Sequence, residues 1–315
     1  MFVNRNRLGI LLFGMLLTAC SFRSVAGVDG DIKKSFRVKR DGWLHLETDI
    51  GTIEVTAAGS NEVTIEVRFE SKRGNKKRVK EFLDDFDVIF KQDGTDVRVN
   101  AEYKQDRWRF WDRFGKYVRV EFIVSVPEEY NVDLKTSGGS ITVDDLEGEV
   151  ESRTSGGSLT FGNIKGPVNG RTSGGSISLE GCDGIVQVKT SGGGIKIGKV
   201  KGEIDAHTSG GSIHVEEVMG SINAGTSGGS VTANITKQPD HDCRLTTSGG
   251  SVKVYLSDNV RLNLNARTSG GRVVTDIPVT VKGEISKRAL KAELNGGGPE
   301  LYLRTSGGSI YIKEH

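Results

Sequence analysis

The residues best suited to chemistry in this chain form a regularly spaced basic series. Each directly precedes a copy of the tetrapeptide Thr-Ser-Gly-Gly, and the first five recur at a constant interval along the chain: Lys135, Arg153, Arg171, Lys189 and His207. At this position the later copies have Gly225, Thr246, Arg267 and Arg304. If the repeats stack as β-strands, neighbours in this basic column lie about 4.8 Å apart. Exposed like charges at that distance repel by about 0.9 kcal/mol in water.

Two interpretations of the basic column remain open. It could bind an anionic glycan, the phosphates of lipopolysaccharide or another anionic envelope polymer, because a row of one charge attracts the opposite charge. It could instead be a solvated stripe that Glu151 and Asp205 partly neutralise from two positions earlier in the chain. The total charge argues against nucleic-acid binding in both cases, since 43 Lys and Arg nearly balance 41 Asp and Glu.

A second group with chemical potential is Asp240-His241-Asp242, in the loop that lengthens the sixth repeat. These side chains could ligate a metal or serve in acid–base catalysis, although we favour a solvated loop. A calcium-binding roll is excluded, because it needs a recurrent Asp and none accompanies Thr-Ser-Gly-Gly. We predict no catalytic residue, no metal and no cofactor. The alternative function is a carbohydrate-active enzyme, similar to polysaccharide lyases and hydrolases, on a β-helix.

The N-terminal segment 1–19 has the pattern of a lipoprotein signal peptide. Arg5 and Arg7 precede an apolar run at 8–17 that is too short to span a bilayer. The run ends in Leu17-Thr18-Ala19-Cys20, which resembles a bacterial lipobox.

The lipobox resemblance implies that Cys20 is acylated and becomes the first residue of the mature chain. Residues 20–35 are then a polar tether to the membrane. Ser21 stands where an Asp would resemble an inner-membrane retention signal, so the outer membrane is favoured, with the protein facing the periplasm or the cell surface.

The repeat itself predicts the architecture. Counting from each threonine, apolar residues recur at offsets 5, 7, 10 and 14, and glycine recurs at offset 12. Two runs of period-two alternation separated by glycine corners are typical of stacked strands. The pattern predicts an all-β fold, a single-stranded, right-handed parallel β-solenoid with 18-residue rungs over 136–315. Its nine copies begin at Thr136, Thr154, Thr172, Thr190, Thr208, Thr226, Thr247, Thr268 and Thr305.

Strand parity predicts which side chains point inward. Each repeat threonine should point toward the core, where its hydroxyl can satisfy backbone groups at the corner, and the glycine pair allows the bend. The basic column should point outward. Cys182 and Cys243 fall in apolar columns three rungs apart, about 14 Å by the ladder spacing, so we expect buried free thiols rather than a disulfide.

The region before the regular repeats, residues 36–135, should be irregular β structure with a capping helix at about 75–86. Val79, Phe82, Leu83 and Phe86 share one face of that helix.

Two further segments lie outside the repeat pattern. The segment 103–122 mixes aromatic and basic residues, and it could contact lipid headgroups or sugars or form a hairpin against the solenoid, which we favour. The chain ends with a strand at 309–313, whose Lys313 and Glu314 would discourage edge-to-edge stacking.

The rung Thr-Ser-Gly-Gly-Ser-Ile-x-Val behind a lipobox resembles the bacterial putative-adhesin β-strand-repeat proteins of the DUF4097 type, over roughly 36–315. In that family "adhesin" reflects an analogy of fold and adds little on mechanism. We predict a non-enzymatic, membrane-anchored envelope lipoprotein that acts as a binding, adhesion or structural scaffold. Its partners would be the membrane, through the lipid, and an anionic envelope polymer or a protein.

Overall fold

The computed structural model describes residues 31–72, 74, 76–104, 114–115 and 117–315. Over these residues the chain is almost entirely β-structure, with one helix before the regular repeats. The N-terminal elements are β1 (Ile32–Arg37), β2 (Trp43–Thr48), β3 (Thr52–Ala58), β4 (Glu62–Ser71), α1 (Lys76–Asp84), β5 (Phe86–Asp93), β6 (Asp96–Tyr103) and β7 (Val118–Pro127).

The repeat region contributes two main strands to each rung. These are β8 (Asn131–Thr136), β9 (Ile141–Val143), β10 (Leu146–Glu147), β11 (Val150–Thr154), β12 (Leu159–Lys165), β13 (Val168–Arg171), β14 (Ile177–Cys182), β15 (Val186–Lys189), β16 (Ile195–Val200), β17 (Ile204–Thr208), β18 (Ile213–Val218), β19 (Ile222–Thr226), β20 (Val231–Ile235), β21 (Cys243–Thr247) and β22 (Val252–Leu256). The C-terminal strands are β23 (Leu262–Thr268), β24 (Val273–Thr275), β25 (Thr280–Ser286), β26 (Ala289–Leu294), β27 (Glu300–Thr305) and β28 (Ile310–Glu314).

The strands form two long sheets that share one core. The first sheet has the order β1-β4-β7-β3-β9-β12-β14-β16-β18-β20-β22-β28-β24, with β10 beside β12. The second sheet has the order β25-β26-β23-β27-β21-β19-β17-β15-β13-β11-β8-β2-β6-β5. Successive strands of the chain alternate between the sheets through the repeats, so each rung places one strand in each sheet. The predicted all-β fold with parallel stacking is confirmed.

Strand register follows the sequence period. In the second sheet Val150 pairs with Val168, Val168 with Val186 and Val186 with Ile204, each pair parallel and one repeat apart. The apolar columns face inward, and these four side chains are almost completely buried. The right-handed sense of the coil stays a prediction.

The repeat threonines point into the core, as strand parity predicts, and all nine are buried. Each hydroxyl donates a hydrogen bond to the second-glycine carbonyl of the rung stacked before it. Thr154 Oγ1 lies 2.8 Å from the Gly139 oxygen, and Thr172 Oγ1 lies 2.7 Å from the Gly157 oxygen. The Thr172 hydroxyl also accepts the Gly175 N–H at 3.3 Å. The threonine therefore links two rungs at a corner where the strand ladder is interrupted.

The strands do not stack in chain order at either end. At the N-terminal end β2 lies between β6 and β8, and β3 lies between β7 and β9. At the C-terminal end β27 lies between β21 and β23, and β28 lies between β22 and β24. Both ends of the solenoid thus contain a rung inserted between two others, which we call intercalated rungs.

The intercalated C-terminal rung differs from the expectation of an edge strand at 309–313. β28 is hydrogen-bonded on both sides, and Lys313 forms an ion pair with Asp276 at 3.4 Å. The edge strands at this end are β24 in the first sheet and β25 in the second. β25 pairs antiparallel with β26, which pairs antiparallel with β23.

The helix α1 packs against N-terminal strands of both sheets. It lies against β4 and β7 of the first sheet and β5 of the second, and it is shorter than the predicted 75–86 because Phe86 already begins β5. Its side chains Val79 and Phe82 are buried. The Phe82 ring packs against the rings of Phe86 at 4.9 Å and Phe114 at 5.8 Å between centroids.

Both cysteines of the repeat region are buried free thiols, as predicted. Burial raises the pKa of Cys182 to about 11, with a smaller contribution from Asp183. Burial likewise raises the pKa of Cys243 to about 11.

Candidate anion-binding face

The five residues of the basic column lie side by side on the outer surface of the second sheet. Lys135 pairs with Arg153, Arg153 with Arg171, Arg171 with Lys189, and Lys189 with His207. Their strands alternate between buried and accessible positions, which turns these side chains away from the core. The structure therefore brings together the residues that the sequence period predicted to align.

Three members of the column are paired with acidic residues two positions earlier in their own strands. Lys135 Nζ lies 2.9 Å from Asp133 Oδ2, and Arg153 lies 3.8 Å from Glu151. The sequence had singled out Glu151 and Asp205, and the latter lies 2.9 Å from His207 Nε2. The ends of the column are thus locally neutralised.

The two central members have a different setting. Arg171 and Lys189 are exposed, and neither forms an ion pair with any described residue. The side chains two positions before them are the uncharged Asn169 and Gln187, which pair with each other in register. Arg171 and Lys189 are therefore the two adjacent members of the basic column without an acidic partner among the described residues. The members on both sides of them each have one.

The intercalated N-terminal rung limits the column at its first residue. Glu47 of β2 pairs in register with Lys135, and His45 of the same strand lies 3.3 Å from Asp133. The sequence could not show this boundary, because β2 and β8 are separated along the chain by the whole irregular N-terminal region.

A second basic group on the same face arises from the intercalated C-terminal rung. Arg304 of β27 pairs in register with Arg267 of β23 and with Thr246 of β21. Tyr302 lies beside Arg244, whose guanidinium carbon is 4.4 Å from the centre of the tyrosine ring. Arg304 Nη1 donates to the Tyr302 hydroxyl at 3.1 Å. We call Arg244, Arg267, Arg304 and Tyr302 the arginine cluster.

Sequence reasoning placed Arg267 and Arg304 in the basic column but missed the cluster. Arg244 and Tyr302 occupy the column two positions earlier, where the preceding rungs have polar or acidic residues. The sequence alone shows only part of the cluster, namely that Tyr302 and Arg304 stand on either side of one residue in the same strand. Their meeting with Arg244 depends on the order of the rungs, which the repeat does not encode.

Comparison with known protein families shows which family this chain belongs to. The profile of the family described as Toastrack DUF4097 matches residues 43–313. The chain belongs to the Toastrack DUF4097 family. The resemblance drawn from the repeated rung is confirmed, and the match includes both intercalated rungs.

Solved structures similar to this Toastrack chain come from Bacteroides, Parabacteroides and Clostridium species. A putative adhesin from Bacteroides fragilis is 14% identical, with 90% of this chain and 97% of that chain covered and a TM-score of 0.40. A putative lipid binding protein from Parabacteroides distasonis is 10% identical, with 90% and 96% covered and a TM-score of 0.36. A putative cell adhesion protein from Clostridium sporogenes is 12% identical, with 90% and 100% covered and a TM-score of 0.26. None of the curated proteins compared with the chain matches it.

The Asp240-His241-Asp242 loop of this Toastrack chain has structural contacts. Asp242 Oδ1 accepts the backbone N–H of Glu300 at 2.7 Å, which fastens the loop to β27. The His241 N–H donates to the Ser221 hydroxyl at 3.0 Å, and the His241 ring lies 3.8 Å from Glu203. Across the described parts of the chain, no three His, Cys, Asp or Glu side chains are grouped so that they could hold a metal ion.

Two predictions for this Toastrack chain lie outside the described residues. Cys20 and the signal peptide precede residue 31, and the middle of the aromatic and basic segment 103–122 falls in 105–113. Tyr103 and Phe114, which lie on either side of 105–113, are buried against α1. No helix in the described ranges is long and apolar enough to cross a membrane.

Proposed function

We propose that this Toastrack protein is a non-enzymatic envelope lipoprotein that binds an anionic glycan on the outer face of its second sheet. The observation that carries the proposal is the adjacent pair Arg171 and Lys189, two exposed cations in register, neither of which forms an ion pair with a described residue. Two unit charges about 4.8 Å apart repel by about 0.9 kcal/mol in water. An anionic ligand that bridges them removes this repulsion and gains two attractive contacts.

The solenoid suits a polymer better than a small molecule. A right-handed coil of equal rungs would repeat the same outward positions at a constant spacing, so successive anionic groups of one chain can meet successive rungs. Binding through several weak contacts gains affinity from effective concentration rather than from any single contact. The neutralised ends, Lys135 with Asp133 and His207 with Asp205, centre that binding on Arg171 and Lys189.

The anchor is the second part of the proposal. Acylation of Cys20 would tether the folded solenoid through residues 20–35 to the outer membrane, facing the periplasm or the surface. Several acyl chains give stable anchoring where one is marginal. Metabolic labelling with palmitate tests it: we expect label in the wild type and none in Cys20→Ala. Label retained in Cys20→Ala would contradict the anchor.

The glycan site is tested with polygalacturonate as the probe and two matched double variants. Arg171→Gln with Lys189→Gln removes the unneutralised pair, whereas Lys135→Gln with Arg153→Gln removes the same charge from positions that already have acidic partners. We expect the first variant to lower affinity about tenfold or more, and the second to lower it much less, because the donors of Lys135 and Arg153 are already engaged by Asp133 and Glu151. Equal loss in both variants, or none in the first, would contradict the proposal.

The enzyme alternative has a direct assay. Incubation of the protein with polygalacturonate should release no shorter products if the protein is a binding scaffold. Product release that disappears in His241→Ala would overturn the non-enzymatic assignment. The contacts of Asp242 and His241 instead support a structural role, because they join the lengthened loop to β27 and to Ser221.

A further inference from the structure

The arginine cluster exists because the last rung of the chain is inserted between two earlier ones. β27 places Arg304 and Tyr302 next to Arg267 and Asn265 on one side, and next to Thr246 and Arg244 on the other. All three arginines are exposed, and their positions in the chain span residues 244 to 304. The cluster is therefore a product of the tertiary fold rather than of the repeat.

The arginines of the cluster have no direct acidic partner among the described residues. None of the three arginines forms an ion pair with a described residue. The carboxylates nearest in the strand order have other partners: Glu300 accepts the Asn265 amide at 2.7 Å, and Asp242 accepts a backbone N–H of Glu300. On the far side of Asn265 the paired residue is another exposed cation, Lys291.

Tyr302 holds two of the arginines in position. The guanidinium of Arg244 lies over the face of its ring, and Arg304 is hydrogen-bonded to its hydroxyl. The stacking and the hydrogen bond restrict side chains that would otherwise lose much rotamer freedom on binding a ligand. Because Tyr302 restrains these side chains and no carboxylate of the described residues does, their guanidinium donors are directed to solvent and are already partly ordered.

Guanidinium groups bind carboxylates and phosphates through paired N–H donors. Arg267 and Arg304 are neighbours in register, about 4.8 Å apart along the sheet, so one oxyanion can contact both. We propose that the arginine cluster is a site for an oxyanion carried by a saccharide, either a uronate carboxylate or a sugar phosphate. This inference rests on the proposed function in that the ligand is of the same class and lies on the same face.

The experiment separates guanidinium recognition from charge alone. Binding of the full chain to polygalacturonate and to phosphomannan is measured for wild type, Arg304→Lys, Arg304→Gln and the control Lys196→Gln. Lys196 is an exposed, outward residue of the first sheet, so its change removes the same charge from the opposite face. We expect both Arg304 variants to lose about tenfold in affinity for at least one probe, which is roughly the value of one charge-assisted hydrogen bond. Lys196→Gln should bind as wild type does.

The probes identify the source of the oxyanion. Loss with polygalacturonate alone indicates a carboxylate, and loss with phosphomannan alone indicates a phosphate. Wild-type affinity of Arg304→Lys for both probes would overturn the inference, because the cluster would then act only as positive charge. Thermal unfolding of each variant establishes that the fold is intact.

The same assay distinguishes this inference from the proposed function. If Arg171→Gln with Lys189→Gln weakens binding and Arg304→Lys does not, the basic column is the binding site and the inference about the arginine cluster is wrong. If only Arg304→Lys weakens binding, the cluster is the site and the column is a solvated stripe.

Discussion

The two glycines of one repeat are not equivalent, although the sequence shows them as a uniform pair. A methyl group on Gly157 would come within 2.1 Å of the Gly139 oxygen in the stacked rung, whereas one on Gly156 would meet nothing closer than 3.6 Å. Backbone atoms cannot move aside locally without disturbing the ladder. In this repeat the second glycine is therefore required by the close approach of rungs, and the first is not, whereas at the first glycine of a later repeat, Gly210, a methyl group would come within 2.7 Å of a backbone oxygen.

The glycine difference gives a matched prediction within a single repeat. Gly157→Ala should destabilise the protein by several kcal/mol or prevent folding, as steric conflicts in packed regions do. Gly156→Ala should change the free energy of unfolding by about 1 kcal/mol or less. Chemical denaturation measures both. Similar stabilities of the two variants would show that the corner can open, contrary to the tight stacking described.

The buried thiols predict a pH effect on stability. Burial raises the pKa of both Cys182 and Cys243 from an ordinary value of 9 to about 11. The folded state therefore binds a proton more tightly than the unfolded state, so the stabilisation is fully present below pH 9 and is lost as the pH rises from 9 toward 11. The unfolding midpoint should fall over that range, and by less in Cys182→Ala with Cys243→Ala. An equal fall in both proteins would assign the effect to other groups.

The chemistry of single residues was only partly predictable from the sequence. Period-two alternation was enough to turn the threonines inward and the basic column outward. It also suggested that Glu151 and Asp205 neutralise their neighbours, which the distances to Arg153 and His207 support. It could not reveal the arginine cluster, because the distance along the chain from Arg244 to Arg304 carries no information on which rungs touch.

The helix α1 depends on its packing rather than on its own sequence. Its first turn has no acidic residue and its last turn has no basic one, so neither end is favourably placed in the helix dipole. The apolar face predicted from the sequence supplies the compensating contacts, with Phe82 completely buried among Phe69, Phe86, Tyr103 and Phe114. The existence of the helix was predictable, whereas its end at Asp84 was set by the start of β5.

Removing the central ring of that aromatic group should uncouple the helix. Phe82→Ala is expected to cost about 3–5 kcal/mol, the usual range for a buried aromatic side chain. Lys80→Ala, an exposed position of the same helix, should change stability by less than about 0.5 kcal/mol. Hydrogen exchange in α1 and β4 should increase in the first variant only. Unchanged protection in Phe82→Ala would mean that other contacts hold the helix in place.

The order of the rungs is the feature of the whole molecule that sequence could not predict. Every Thr-Ser-Gly-Gly rung offers the same inward threonine and the same glycine carbonyl, so any rung can stack on any other. In the structure the Thr305 hydroxyl donates to Gly250, and the Thr268 hydroxyl donates to Gly308. The hydrogen bonds thus follow the order in space. The antiparallel hairpin of β25 and β26 occupies the outer side of β23. Only the inner side of β23 is then available to the final rung.

An inserted last rung makes the C-terminus part of the core, and this has a measurable consequence. Leu303 in β27 and Ile310 in β28 are completely buried, although they belong to the last two strands of the chain. Leu303→Ala should therefore cost about 2–5 kcal/mol, as in a protein interior, rather than the small amount expected of a fraying terminal strand. Val281→Ala in the edge strand β25, where the side chain is 42% exposed, is the matched control and should cost less than about 1 kcal/mol. If Leu303→Ala were as mild as Val281→Ala, the last rung would have to lie at an edge, and the arginine cluster that depends on its insertion would not form.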